Sequence, residues 1–303
     1  MTLTVTGSIN IDHVIHLPQF PRPGETLTGS DYRIVPGGKG ANQAVAAARA
    51  GADTRLVACV GDDAMAKDLL AGFAADGINT GAIDTVPGVN TGVALIQVND
   101  AGENTIALAA GANAALTPAR LENHASALFC DRLLLQLEIP LETNLAAAKT
   151  AKAQGAQVVL NPAPAQPLPA ELLALVDLIT PNETEAERLT GVAVQDEAGA
   201  AAAAQALHRQ GIDTVIITLG ARGVWLSEQG RGRRIPGFAV KAVDTTAAGD
   251  TFNGALLAAL QQGLALEPAV RFAQAAAAIS VTRPGAQTSV PYRDEIEALL
   301  EQG

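Results

Sequence analysis

The sequence is short of basic residues, and this shortage limits the partners that are open to the protein. Lysine and arginine number 20 against 31 aspartates and glutamates, so the formal charge of the 303 residues is −11. Proteins that bind duplex nucleic acid or anionic membranes depend first on Lys and Arg contacts to phosphate. We therefore expect neither nucleic acid nor a membrane as a partner. Any phosphate must be bound by groups within its own site and not by a basic surface.

Cysteine and long apolar segments are scarce as well. Cys59 and Cys130 are far apart in apolar surroundings, which is typical of reduced core thiols rather than of a framework disulfide or a metal cluster. The segment Met1 to Gly7 lacks the basic and apolar regions of a signal peptide. The uncharged stretch from Thr251 to Leu266 is too short and too interrupted to span a bilayer, so we expect a buried helix there and a cytoplasmic protein.

Two common nucleotide-binding motifs are also missing. The segment Pro36 to Ala44 reads PGGKGANQA, but Gly40 follows Lys39 where a Walker A motif requires Ser or Thr. No G-x-G-x-x-G follows the first predicted strand, so a nicotinamide-dependent oxidoreductase loses its main support. What remains is a glycine turn at Gly37 and Gly38 that lets a ligand approach the backbone.

Short Val-, Ile- and Leu-rich runs alternate with longer Ala-rich helical stretches, which predicts an α/β fold with a mostly parallel sheet. Two segments, about 11–36 and 91–108, instead carry turn residues and strand alternation without a helix, and we expect them to form a small β-sheet lid. In the second segment, Asn99 to Gly102 separates two alternating runs, which predicts a hairpin. No repeat, linker or charge block divides residues 1–303, which predicts a single domain. The predicted strands of the main sheet are Leu3 to Ile9, Arg55 to Val60, Arg132 to Gln136, Gln157 to Leu160, Leu175 to Ile179 and Thr214 to Thr218.

The most informative stretch runs from Val243 to Gly254, where strand-like residues are followed by a long helix. Small residues at Ala247, Ala248 and Gly249 would let a ligand approach the first amides of that helix, and helix N-termini attract anions. Asp250 would stand beside a bound phosphate, a poor place for an acid unless it accepts a proton from an attacking hydroxyl. The alternative is an acid that only stabilises the helix dipole.

Polar residues after two predicted strands suggest a site for a polyhydroxylated ligand. Asn10, Asp12, Lys39 and Asn42 offer donors and acceptors together, although each could also be a turn residue or a solvated charge. Glu138 ends an apolar strand at the edge where open parallel sheets bind ligands.

A further segment, Thr180 to Glu187, places Asn182 and Glu185 at a helix start. Its plainest interpretation is an N-cap followed by acids in the first turn.

Several motifs follow one another along nearly the whole chain: Gly7 to Asp12, Gly37 to Ala44, Asn161 to Ala165, Thr180 to Glu187, Ile217 to Gly223 and Asp244 to Gly254. Together they resemble the ribokinase-like carbohydrate kinase family. The resemblance implies a three-layer αβα sandwich with a β-lid, ATP-dependent phosphorylation of D-ribose at its 5-hydroxyl, and a homodimer built through the lids.

The resemblance also implies a role for individual residues. Asp250 would be the catalytic base, and the amides of Ala247 to Asp250 would form the anion hole. Glu185 would act on the Mg²⁺ shell, through water because Mg²⁺ keeps several. Sugar contacts would come from Asn10, Asp12, Gly38, Lys39, Asn42 and Glu138. ATP would be held by Asn182, Thr218, Gly220, Gly223 and Gly249, with Gln274 near the adenine.

The family also uses a monovalent cation, typically K⁺, beside the anion hole. The matching positions would contribute several of their ligands through backbone carbonyls. They are Asp244, Thr246, Ser280, Arg283, Gly285 and Ser289.

Three alternatives stay open on the sequence. The first is a kinase for another sugar or nucleoside, namely deoxyribose, fructose, 2-keto-3-deoxygluconate or adenosine, because the anion hole and the ATP site are shared within the family. The second is a sugar-binding protein that has kept the fold without the chemistry, against which the intact Gly249-Asp250 pair argues. The third, a nicotinamide oxidoreductase, lacks its glycine fingerprint.

Overall fold

The computed structural model describes residues 2–302, and its main element is a nine-stranded sheet in the order β13-β12-β11-β10-β9-β8-β1-β4-β5. All pairs in it are parallel except β11–β12 and β12–β13. A second sheet, in the order β3-β2-β6-β7, is separate from the first. The strands are β1 Leu3–Thr6, β2 Asn10–Leu17, β3 Asp31–Gly37, β4 Thr54–Gly61, β5 Asn79–Val86, β6 Gly92–Asn99, β7 Asn104–Ala109, β8 Arg132–Leu135, β9 Gln157–Leu160, β10 Leu178–Ile179, β11 Thr214–Thr218, β12 Val224–Glu228 and β13 Arg231–Ile235.

Helices cover both faces of the large sheet, because successive strand residues point to opposite sides. Leu134 packs into one core with α1, α2, α8, α9 and α10, while its neighbours Leu133 and Leu135 pack into a second core with α4, α5, α6 and α7. The predicted α/β fold, with three layers and a small extra sheet, is confirmed. The helices are α1 Lys39–Arg49, α2 Ala64–Ala75, α3 Pro118–Glu122, α4 Leu141–Ala153, α5 Ala170–Leu173, α6 Glu183–Thr190, α7 Glu197–His208, α8 Ala248–Gln261, α9 Leu266–Ser280 and α10 Arg293–Gln302.

The small sheet arises from the two segments that carried strand patterns without a helix. β2 pairs antiparallel with β3 and parallel with β6, and β6 pairs antiparallel with β7. The predicted hairpin is present, since β6 and β7 flank the turn at Asn99 to Gly102. Asn10 and Asp12 lie at the start of β2, where the chain passes from the large sheet into the small one.

Several predicted boundaries differ from the structure for local reasons. β1 ends at Thr6 because the chain turns at Gly7 and Ser8 toward the small sheet. Leu175 and Val176 continue the turn of α5, donating to the carbonyls of Leu172 and Leu173, so β10 keeps only two residues. The stretch from Thr251 to Leu266 contains most of buried α8 and then a break before α9.

The two cysteines are free thiols, as expected. Cys59 is buried, whereas Cys130 is only half-buried at the margin of the second core. Within residues 2–302, no helix has the length and apolar character needed to cross a membrane.

α1 and α8 cross at unusually short range, because Gly254 of α8 has no side chain. A Cβ atom at Gly254 would lie 2.4 Å from the carbonyl oxygen of Gln43 and 2.6 Å from the Cβ of Ala46. Both atoms belong to α1, so the two helices can touch only through a glycine. This contact sets the distance between the residues that each helix presents at its N-terminal end.

We expect Gly254→Ala to destabilise the protein by about 2 kcal/mol or more, because neither backbone nor packed side chain can make room for the added methyl. The measurement is the free energy of unfolding in urea. The matched control is Gly72→Ala in α2, where an added Cβ meets nothing within 4 Å and the site is exposed. That change should stabilise the protein by about 0.5 kcal/mol through reduced unfolded-state entropy. Equal effects of the two substitutions would contradict the packing argument.

Candidate active site

The candidate site lies at the carboxyl edge of the large sheet, where the strand order reverses. β1 is flanked by β8 on one side and by β4 on the other, so the chain runs outward from β1 in both directions. Open α/β sheets bind ligands at such points, because the loops there diverge and leave a crevice. Asn10 follows β1 and Glu138 follows β8, which places both at this crevice.

Glu138 organises one side of the crevice. Its Oε2 accepts hydrogen bonds from the Ser8 hydroxyl at 2.6 Å and from the Lys39 amide at 3.1 Å, and the Asn10 amide group lies 3.5 Å away. Asn113 fixes the side chain of Asn10, because its Nδ2 donates a hydrogen bond to Asn10 Oδ1 at 2.7 Å. Asn10 and Glu138 line a cleft of about 410 Å³ between the two sheets. The structure therefore brings Asn10 and Glu138 together, and Ser8 and Asn113 support this arrangement.

Asp12 is a buried carboxylate with an unused acceptor. It is 7% exposed, and its Oδ1 has no hydrogen-bond partner. Burial, reinforced by the nearby carboxylates of Glu138 and Asp250, raises the pKa of Asp12 from 3.8 to about 7, although Lys39 opposes the shift. A Cβ on Gly37 would lie 2.2 Å from this oxygen, so any side chain at position 37 would displace the Asp12 carboxylate. An unpaired buried acceptor suits a ligand hydroxyl.

Lys39 is the cation at the centre of the site. Burial by itself lowers the pKa of its ammonium, but the surrounding carboxylates together outweigh that effect and raise the pKa above its usual range. The lysine therefore stays charged and offers a local positive centre in an acidic protein. The carboxylates that act on it belong to Asp250, Glu138, Glu185 and Asp12.

Asp250 lies in the first turn of α8 and is held by two adjacent amides of α1. Its Oδ2 accepts from Asn42 Nδ2 at 3.1 Å and its Oδ1 from Gln43 Nε2 at 2.8 Å. Asn42 is in turn fixed by Gln287, which donates to its Oδ1 at 3.1 Å. The carboxylate is 6% exposed, so its direction is set by these donors rather than by water.

The N-terminus of α8 faces a cleft of about 200 Å³. Ala247 takes the left-handed conformation with φ of 58°, and Ala248 donates to the Thr245 carbonyl at 3.3 Å. The amides of Gly249 and Asp250 lie in the first helical turn, where no carbonyl four residues earlier belongs to the helix. Lys39, Asn182, Glu185, Gly249 and Asp250 line this cleft together. An amide-rich helix start beside a lysine is a suitable place for an anion.

Asn182 and Glu185 form a reciprocal capping box at the start of α6. Asn182 Oδ1 accepts from the Glu185 amide at 2.8 Å, and Glu185 Oε2 accepts from the Asn182 amide at 2.8 Å. Burial raises the pKa of Glu185, with the Asn182 hydrogen bond and Lys39 opposing that shift. The plain N-cap interpretation is thus correct, and the same two residues also line the cleft.

A larger, apolar cavity of about 570 Å³ continues from this cleft. The two share Thr218, Thr245, Ala248 and Gly249. The cavity walls include Phe238, Phe252 and Gln274. The predicted turn at Gly220 and Gly223 lies on its rim, and both glycines have positive φ angles. A flat apolar group fits such a cavity, with any attached charge placed at the helix start.

The predicted cation residues bring two loops together. Asp244 accepts from the amide of Thr246 at 2.9 Å and from that of Gly285 at 2.8 Å. Burial alone would raise the pKa of Asp244, but these donors and Arg33 lower it below its usual value. Arg283 pairs with Glu295.

The two serines of the predicted cation set, Ser280 and Ser289, use their hydroxyls on carbonyls of their own turns. Within residues 2–302, no cluster of three or more His, Cys, Asp or Glu side chains could hold a metal. Any ligands here would be mainly carbonyl oxygens, a donor set that fits K⁺.

The buried residues of the site that were not predicted include Gln43, Asn161, Thr180 and Asn253. Gln43 is the neighbour of Asn42, and Asn161 and Thr180 each follow a strand. The available signal was a polar residue directly after an apolar run at the carboxyl edge of the sheet.

Comparisons with known proteins identify the family of the chain. The sequence profile described as pfkB family carbohydrate kinase matches residues 2–293. The fold and the match together show that the chain belongs to the pfkB family of carbohydrate kinases. The resemblance that the motifs indicated is thereby confirmed.

Two individual relatives and one solved structure are similar to the chain over nearly its whole length. The chain is 56% identical over 301 residues to the ribokinase of Haemophilus influenzae, covering 99% of this chain and 98% of that protein. It is 38% identical over 302 residues to a deoxyribokinase of Salmonella typhi, covering 99% of each. The structure of Arabidopsis thaliana ribokinase complexed with ribose and ATP superimposes with a TM-score of 0.92 at 34% identity, covering 99% of this chain and 98% of that one.

The raised pKa of Asp12 predicts a pH-dependent cost to stability. Between about pH 4 and pH 7 the folded state binds more protons than the unfolded state, so this group lowers the free energy of unfolding as pH rises through that window. Asp12→Asn should remove this slope and become more stable than the wild type toward pH 7, by on the order of a few kcal/mol. Urea unfolding at several pH values between 4 and 8 measures the difference.

The control is Asp100→Asn, at the exposed tip of the β6–β7 turn. Its unfolding free energy should follow that of the wild type at every pH. Parallel pH curves for the wild type and Asp12→Asn would mean that the Asp12 carboxylate does not carry the proton.

Proposed function

We propose that the protein phosphorylates D-ribose at its 5-hydroxyl with ATP, giving ribose 5-phosphate and ADP. The observation that carries this proposal is the position of Asp250. It stands at the meeting point of the polyhydroxyl-binding side, through Asn42, and the anion-binding cleft at the start of α8. A carboxylate beside an anion site is well placed to take a proton from an attacking hydroxyl.

In the proposed reaction, Asp250 accepts the proton of the sugar hydroxyl while the hydroxyl oxygen bonds to the γ-phosphorus and the bond to ADP breaks. The amides of the α8 start, Ala247 to Asp250, and the Lys39 ammonium stabilise the charge on the transferred group. The adenine would occupy the apolar cavity beside Gln274, with Glu185 acting on the hydration shell of the Mg²⁺ that accompanies ATP.

Ribose is the proposed sugar because the closer of the two named relatives is a ribokinase. The unpaired Asp12 oxygen and the Asn10, Asn42 and Glu138 groups supply acceptors and donors for several hydroxyls. The 38% identity to a deoxyribokinase supports deoxyribose as a second, slower substrate. A monovalent cation held at the loops of Asp244 and Gly285 would stiffen the segment that precedes α8.

We expect ribose to give the highest kcat/KM among ribose, deoxyribose, fructose, 2-keto-3-deoxygluconate and adenosine, and K⁺ to increase its turnover. The measurement is ADP release with MgATP, with and without K⁺. Another leading sugar would overturn the ribose assignment alone. Inactivity on every substrate would favour the sugar-binding alternative over a kinase.

Two variants control this panel. Asp250→Asn removes only the proton acceptor, so turnover should fall by about 10³-fold or more while sugar binding, followed by calorimetry, is largely retained. Asp68→Asn, an exposed acid of α2, should keep wild-type turnover. Near-normal turnover by the Asp250→Asn variant would exclude Asp250 as the base.

The small sheet is proposed to act as a lid, formed by about 11–36 and 91–108, that also joins two copies of the chain in the cytoplasm. It exposes a cluster of large apolar side chains to solvent, which is unusual in a soluble monomer. The cluster comprises Tyr32, Ile34 and Leu95, each at least 45% exposed, which the strand register places on one face of the sheet. Ile106 and Leu108 are also exposed but lie on the opposite face.

Sedimentation velocity at micromolar concentration should therefore show a dimer of the 30.8 kDa chain. Leu95→Glu should shift it to a monomer by burying a charge in the interface. The matched control is Phe129→Glu, an equally exposed apolar residue (56% for both) outside the small sheet, which should leave the dimer intact. A wild-type monomer would refute the lid-mediated dimer.

A further inference from the structure

The side chain of Gln43 makes three polar contacts without any exposure to solvent. Its Nε2 donates to Asp250 Oδ1 at 2.8 Å and to Asn161 Oδ1 at 3.0 Å, and its Oε1 accepts from Gln136 Nε2 at 2.6 Å. Both Gln43 and Gln136 are 0% exposed. Gln43 can therefore reach the substrate only through Asp250.

The chemistry of the neighbours allows one orientation of this amide. The Asp250 carboxylate only accepts hydrogen bonds, so the Gln43 group facing it must be the NH₂. Asn161 also presents its oxygen, because its own NH₂ donates to the Thr180 carbonyl at 3.0 Å. Both hydrogens of Gln43 Nε2 are thus used, and a rotation of the amide would place oxygen against oxygen.

The hydrogen-bond path from Gln43 returns to α8 and so forms a closed amide circuit, which we define as Asp250, Gln43, Asn161, Thr180 and Asn253. The Thr180 hydroxyl donates to Asn253 Oδ1 at 2.6 Å, and Asn253 Nδ2 donates to the Gly249 carbonyl at 2.8 Å. The circuit therefore holds both the carboxylate of Asp250 and the backbone of the turn that carries it. Buried networks in which each donor is used fix side-chain direction strongly.

We propose that Gln43 is a positioning residue that holds Asp250 Oδ1, so that Oδ2 receives the proton of the sugar hydroxyl. This inference rests on the proposed function of Asp250 as the base. Oδ2 is the oxygen that contacts Asn42, on the sugar side of the site. In the step, the hydroxyl O–H bond breaks, an Oδ2–H bond forms, the oxygen bonds to the γ-phosphorus and ADP leaves.

The test is Gln43→Met, which keeps the length and buried volume of the side chain but loses the amide. We expect kcat to fall by about 10- to 100-fold, because a misdirected base costs rate. The KM for the sugar should stay within about 3-fold of the wild type, since Gln43 does not touch it. The matched control is Thr4→Val, a 0% exposed residue whose hydroxyl donates to the Ala127 carbonyl at 2.6 Å and which contacts neither Asp250 nor Gln136. It should lose comparable stability and keep wild-type kcat.

A double-mutant cycle separates positioning from general destabilisation. In an Asp250→Asn background, assayed with radiolabelled ATP, Gln43→Met should cause little further loss, because its effect passes through the carboxylate. An equal fold loss in both backgrounds, or equal kcat for Gln43→Met and Thr4→Val, would overturn the proposal.

A second variant keeps the proposal testable if Gln43→Met does not fold. Gln136→Met removes the hydrogen bond that anchors Gln43 Oε1 and should lower kcat by a smaller factor at unchanged KM. A wild-type kcat for Gln136→Met would count against the positioning role of Gln43. Failure of the proposed function is distinguishable, because the wild type would then turn over no sugar with MgATP. If another sugar leads the panel, the same cycle is run with that sugar.

Discussion

The close crossing of α1 and α8 at Gly254 is the contact on which the site depends. It places the Gln43 carbonyl where any side chain at position 254 would collide with it. One turn before Gly254 stands Asp250, and the side chains of Asn42 and Gln43 meet its two oxygens. The base, its donors and the anion-binding helix start are therefore held by one helix pair. Both helices pack on the same face of the sheet, within one core.

The acidic character of the chain is unfavourable for the binding of an anion at this site. The protein carries a formal charge of −11, yet it must accept a polyanionic substrate if it is a kinase. The described site supplies local positive charge through Lys39, which its carboxylate neighbours keep protonated, and through the backbone amides at the start of α8. Asp12 shows the cost of gathering acids there, since its pKa rises to about 7. Fixed backbone dipoles at the site thus provide the attraction for an anion that a basic surface would provide in other proteins.

Prediction from sequence succeeded where a local pattern had a single physical meaning. The apolar runs gave the parallel strands, and the Asn99 to Gly102 turn gave the β6–β7 hairpin. The edge strand β13 was missed because Arg231, Arg233 and Arg234 hide its alternation behind exposed charge. β12 and β5 were also missed, and Leu175 was misplaced because short apolar helices and strands share a composition.

The sequence by itself determined the fold class, the small extra sheet, the family and most candidate residues, because these depend on periodicity and on motifs read along the chain. Only the tertiary structure decided which of those residues hydrogen-bond to one another and which line the same cleft. Gln43 and Asn161 are 118 residues apart, as the 3.0 Å hydrogen bond between them shows. No local pattern encodes such a contact. It exists because parallel strands deliver their carboxyl ends to one edge and a glycine lets two helices touch there.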